Sequence, residues 1–134
     1  MKIKDFIISS IKKYSDIYFS EDINLIDNIV FDKYKCINIF LEGDDRIEIV
    51  LKVSDKSLNK ISENLFGNIM EDENIRSDLA KEMLNIIAGN ILLNVNKEYR
   101  LSLPELCNKD YRNTNELFFK NSILEISIFF KKNL

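Results

Sequence analysis

The chain has 134 residues, 46% hydrophobic and 31% charged, with a formal net charge of −3 and no histidine. That length and composition describe one globular domain, 1–134, able to bury a core. Lysines and glutamates are interspersed, which argues against the basic face that nucleic acid requires, and no run of about 18 apolar residues offers a membrane span.

The absence of histidine excludes Ser-His and Cys-His nucleophilic chemistry and histidine metal sites. Cys36 and Cys107 lie far apart in the chain with no C-x-x-C spacing and are read as reduced, packed thiols. Asp5 and Ser9 interrupt the N-terminal apolar stretch where a signal peptide needs continuity, so a cytoplasmic location is expected.

Residues from Lys2 to Phe19 read as an amphipathic helix with Ile3, Phe6, Ile7, Ile11 and Tyr14 on one side. Ser20-Glu-Asp breaks the pattern, and a short strand is expected around Ile29 to Phe31. Alternation follows. Ile37, Ile39 and Leu41 oppose Cys36, Asn38 and Phe40, and after the turn Glu42-Gly43-Asp44-Asp45 the residues Ile47, Ile49, Leu51 and Val53 oppose Glu48 and Lys52. This predicts a β-hairpin with one face in the core.

Ser54 suits an N-cap ahead of Leu58, Ile61 and Leu65 at helical spacing, and Gly67 suits the stop. The acidic run Glu71-Asp72-Glu73 favours the start of a longer helix, expected from Asn74 to Val95. Its apolar residues Ile75, Leu79, Met83, Ile86, Ile87 and Ile91 form a broad face. Asp78, Glu82, Asn85 and Gly89 fall on a separate stripe spanning about 60° of arc at about 100° per residue. A carboxylate and a carboxamide three residues apart then point the same way.

Gly89 costs about 1 kcal/mol relative to alanine inside a helix; close packing is the first reason to expect it there, and partner approach the second. Asn90 falls on the apolar side, where its side chain would bond a neighbouring backbone group. Pro104 fixes Leu101-Ser102-Leu103-Pro104-Glu105 as extended, and two strands close the chain, near Glu116 to Lys120 and from Leu124 to Lys131. The order predicts an α+β fold with helices packed on one face of a largely antiparallel sheet, and a loose repeat of a helix-plus-two-strands unit. A metal site at Asp44, Asp45 or at Asp72, Glu73 has no supporting spacing.

The pattern Asp78-x-x-x-Glu82-x-x-Asn85-x-x-x-Gly89-Asn90, followed by Ser102-x-Pro104, resembles the signature helix and downstream segment of the CheC/CheX family of chemotaxis phosphatases, most of all CheX. The preceding helix, hairpin and helix fall in the same order, so the resemblance covers nearly the whole chain. It implies a phosphatase acting on the phospho-aspartate of a CheY-type response regulator. Within that resemblance Asn85 orients the attacking water, Glu82 pairs with a lysine of the regulator, and Asp78 and Gly89 support the docking. It also implies no cofactor of the chain's own, magnesium in the partner, and a homodimer. Ser102 and Pro104 are expected to shape the approach to the last hairpin. The first helix has Asp5 and Ser9 but no E-x-x-N, so one site per chain is expected.

Two other readings fit the same residues. A CheX-like module could bind receiver domains without turnover, or the polar stripe could be incidental to a structural dimer. An acyl phosphate is already reactive, so positioned groups without a strong base suffice for the phosphatase reading.

Overall fold

The computed structural model describes residues 3–95, 98–107 and 116–133. Helix α1 (Ile3–Phe19) buries Ile7, Ile11 and Tyr14, with Ile3 and Phe6 packed against the same core. Ser20 ends it in the left-handed region at φ 52°. Strand β1 (Asn24–Ile26) follows. The expected strand at Ile29 to Phe31 does not form. Instead Asn24 to Ile26 pair with the sheet, and Val30 is 89% exposed, with no strand pairing it among the described residues. The Phe31 ring instead rests on Tyr34, at 5.5 Å between centroids.

The alternating segments form the hairpin of β2 (Tyr34–Glu42) and β3 (Arg46–Ser54), in register from Tyr34 opposite Ser54 to Glu42 opposite Arg46. Ser54 caps α2 (Asp55–Phe66), its hydroxyl accepting from the Ser57 N–H at 3.1 Å. Gly67 closes α2 at φ 77°, a left-handed conformation that glycine adopts without Cβ strain, and its N–H donates to the Glu63 carbonyl at 2.9 Å. Leu58 and Ile61 enter the core as expected, but Leu65 is 59% exposed: it lies in the last turn of α2, beside the exposed Phe66.

Helix α3 (Glu73–Asn94) is followed by the short strands β4 (Arg100–Leu101) and β5 (Glu105–Leu106), then β6 (Leu117–Lys120) and β7 (Glu125–Asn133). The strands form a sheet ordered β1-β6-β7-β3-β2-β4, with β5 also on β2 and every pairing antiparallel. The helices cover one face, where Ile37, Ile39, Leu41, Ile49, Leu51, Val53, Ile126 and Ile128 meet Ile7, Ile11, Leu58, Met83, Leu84, Ile87 and Ile91. None of the described helices is long and apolar enough to cross a membrane.

The topology bears out the internal repeat. Helix α1 with β1 and the β2–β3 hairpin matches α3 with β4, β5 and the β6–β7 hairpin. The second strands of the two hairpins, β3 and β7, pair at the centre, and each unit's short strands pair with the first strand of the other's hairpin. The far face of the sheet is also partly closed. Cys36, Val50 and Phe129 form a second apolar cluster there, and Lys52 is only 9% exposed, paired with Glu116 at 3.3 Å.

Arg76, 5% exposed, joins α3 to α2. Its guanidinium donates to Asn59 Oδ1 at 2.5 Å, the Met70 carbonyl at 3.3 Å and the Asp55 carbonyl at 3.4 Å, and sits 3.4 Å from the Asp55 carboxylate. Removing it deletes three hydrogen bonds and a partly buried ion pair at the junction of the two helices. Arg76→Ala should therefore lower the unfolding free energy by about 2–3 kcal/mol in urea titrations.

Candidate functional site

Helix α3 is set in place before its outer stripe can matter. Asp72 caps its N-terminus, accepting from the Asn74 and Ile75 N–H groups at 2.8 and 3.1 Å. Along its length Ala80, Met83, Leu84, Ile87, Ala88 and Ile91 are buried, chiefly against α1 and β2. Ile75, expected on this apolar face, is 39% exposed because it lies in the first turn, beyond the body of the core.

Asp78, Glu82 and Asn85 all stand exposed on the outer side. Among the described residues, no hydrogen bond or ion pair engages any of these three side chains. Three polar groups with no partner of their own, on a helix fixed at one end and along its inner side, are available to another molecule. Glu82 also reaches across to α1: the Tyr14 phenol is held above its ordinary value, mainly by burial, with Tyr18 and then the Glu82 carboxylate adding to it. Beside Tyr14 a cavity of about 350 Å³ opens between α1 and α2, lined by Tyr14, Tyr18, Phe19, Ser20, Ile61, Asn64 and Leu65.

Gly89 continues the stripe one turn beyond Asn85, half-buried. A Cβ built there would meet nothing within 4 Å, so the expectation of close intramolecular packing is not met. The helix leaves open space at this point. Asn90 does not use its side chain as expected; its backbone carbonyl accepts from Asn94 Nδ2 at 3.0 Å.

Downstream, Ser102 is structural, but it is anchored on the first hairpin rather than at the approach to the last one. Its N–H donates to the Phe40 carbonyl and its hydroxyl accepts from the Phe40 N–H, both at 2.9 Å, which seats the segment after α3 on the edge of β2. Tyr99 went unrecognised in the sequence. Its hydroxyl donates to Asp45 and raises the phenol pKa to about 12, and its ring lies 3.0 Å from where a Gly43 Cβ would stand. The turn glycine thus makes room for an aromatic ring 56 positions later, and no local pattern marks that contact. Three of the four acidic residues considered for a metal are otherwise engaged. Asp45 binds Tyr99 and Lys132, Asp72 caps α3, and Glu73 pairs with Lys35.

The model of the family described as Chemotaxis phosphatase CheX matches residues 36–120. The chain belongs to the CheX family. That match contains most of β2, all of β3, α2 and α3, and the whole of the Asp78–Gly89 stripe. Comparison with curated proteins yields no match. Among solved structures, chemotaxis protein CheX from Vibrio vulnificus is similar with a TM-score of 0.72 at 14% identity, covering 98% of this chain and 100% of that one. The CheX of a CheX–CheY–BeF3–Mg complex from Borrelia burgdorferi is similar with a TM-score of 0.73 at 12% identity, covering 99% of each chain. Thermotoga maritima FliY is similar with a TM-score of 0.60 at 14% identity, covering 94% of this chain and 84% of that one. At such identities the likeness establishes the CheC/CheX fold of this chain.

Because no neighbour occupies the Gly89 position and the residue lies within α3, Gly89→Ala should raise stability by about 0.5–1 kcal/mol through helix propensity alone, measured by urea unfolding. A loss of stability would reveal a packing role.

Proposed function

We propose that this CheX-family chain hydrolyses the phospho-aspartate of a CheY-type response regulator, with Asn85 and Glu82 of α3 as the working residues. The supporting observation is the exposed pair itself: a carboxamide and a carboxylate one turn apart, with no hydrogen-bond or ion-pair partner among the described residues, on a helix whose inner side is buried. An exposed helix surface suits a reaction in which the reacting group arrives inside another protein's site. The relative solved together with CheY, BeF3 and magnesium supports the choice of partner.

In this reading Asn85 enters the regulator's site and holds a water in line with phosphorus. A carboxamide can accept from and donate to that water without bringing negative charge to the phosphoryl group. Glu82 docks on a lysine of the regulator as a charged anchor rather than as a base. Asp78 flanks the anchor, and the open space at Gly89 lets the partner's surface come close to the helix. Magnesium bound by the regulator supplies charge neutralisation at the phosphoryl oxygens. Positioning of the water supplies the rest, which suits a chain with no histidine.

A homodimer is part of the same reading. The edge strands β1, β4 and β5 span only two or three residues, so a dimer joined through them would rest on few ladder bonds.

The deciding assay follows phosphate release from a phosphorylated receiver domain in magnesium. Asn85→Ala should slow release by roughly 100-fold or more while leaving complex formation intact, because it removes the water-positioning group alone. Glu82→Ala should weaken binding about 10–100-fold, the worth of a charge-assisted contact. A wild-type protein that binds the receiver without accelerating its dephosphorylation would establish the binding-module reading instead.

A further inference from the structure

Residues 36 and 107 are the only two cysteines of the chain, 71 positions apart, and the fold brings them together. Strand β5 pairs with β2 through Ile37 opposite Leu106 and Asn38 opposite Glu105, so the antiparallel register sets Cys36 directly opposite Cys107. The Cys107 N–H donates to the Cys36 carbonyl at 2.9 Å, and the two Sγ atoms are 2.6 Å apart. Directly opposed residues of a hydrogen-bonded antiparallel pair have Cα atoms about 5.5 Å apart, within the range that a disulfide bridges without backbone movement. Neither sulfur is in a disulfide here, with Cys36 buried and Cys107 half-buried.

We propose that Cys36 and Cys107 form a redox modification site: a dithiol that a hydroperoxide oxidises to an intrachain disulfide, which reduction by thiols reverses. The surroundings suit the reaction. Cys36 is held below the ordinary thiol value, first by the hydrogen bond from Cys107 and then by the Lys52 ammonium, against the opposing effect of burial. One sulfur attacks a peroxide oxygen, the O–O bond breaks, and the released oxygen leaves as water with the thiol proton, giving a sulfenic acid. The second thiol attacks that sulfur, the S–S bond forms, and the sulfenic oxygen leaves as a second water. Two thiols thus lose two electrons and two protons to one hydrogen peroxide, which becomes two waters.

The bond would alter the part of the chain that follows α3. That segment is held on β2 by the Ser102–Phe40 pair of hydrogen bonds and by a two-residue strand. A covalent link at Cys107 would fasten its far end, on the sheet face opposite the helices. The site is remote in role from the Glu82–Asn85 stripe and does not depend on the phosphatase reading.

The test treats the purified full chain with hydrogen peroxide, blocks remaining thiols with iodoacetamide, and measures intact and peptide masses. The expected result is loss of the mass of two hydrogens, a fall in alkylatable thiols from two per chain to none, a cross-linked peptide joining Cys36 and Cys107, and full recovery with dithiothreitol. Cys107→Ser and Cys36→Ala, each checked for folding by circular dichroism, should not form the internal link. Two thiols that remain alkylatable, separate oxidation of each sulfur to sulfinic acid, or disulfides formed only between chains would each overturn the proposal. Because the wild-type mass alone decides, the outcome holds even if a variant fails to fold.

Discussion

A helix can offer a rigid polar stripe only when its remaining surface is held, and the burial of α3 is the constraint on which this structure turns. Its inner residues recur every three or four positions from Ala80 to Ile91 and pack between α1 and the β2 region of the sheet. Fully burying each of the larger ones is worth roughly 1.5–3 kcal/mol, enough to fix the helix axially and rotationally. The Asp72 cap and the buried Arg76 secure the first turns, where side-chain packing is thinner and Ile75 is left exposed. The outward direction of Asp78, Glu82 and Asn85 follows from that inner fit, since all belong to one rigid cylinder.

The sheet provides the platform by a near-symmetric arrangement. Each half of the chain contributes a helix, a short segment and a hairpin, and the halves interlock because each short segment completes the edge of the other half's hairpin. Neither half could cover its own hairpin edge. Two further contacts join the halves, with Cys107 against Cys36 and Glu116 against Lys52, both on the face away from the helices. That face therefore carries an apolar cluster and a half-buried ion pair, although the hairpin pattern by itself suggests one buried face.

Much of this was legible locally. The hairpin, the Ser54 cap and Gly67 stop, the long helix and the polar stripe each depend on residues within a few positions of one another, where periodicity and capping chemistry act. The misses share another cause. The strand expected at Ile29 to Phe31 is β-rich in composition, yet a strand needs a ladder partner, and β6 pairs with Asn24 to Ile26 instead. Leu65 has helical spacing but lies at the end of α2, where no core remains to receive it. Gly89 suggests tight packing by its cost to the helix, whereas open space surrounds it.

The sequence by itself determined that the chain is an α+β protein without histidine chemistry, and it placed a carboxylate and a carboxamide on one side of a helix. Those properties belong to composition and to the helical repeat, which no tertiary contact alters. Only the tertiary structure decided that this side faces outward with no hydrogen-bond or ion-pair partner among the described residues, that Tyr99 fills the space above Gly43, and that two cysteines 71 positions apart meet across a pair of strands. Each of these depends on how distant segments are brought into register, and register is set by sheet pairing and core packing rather than by any local pattern.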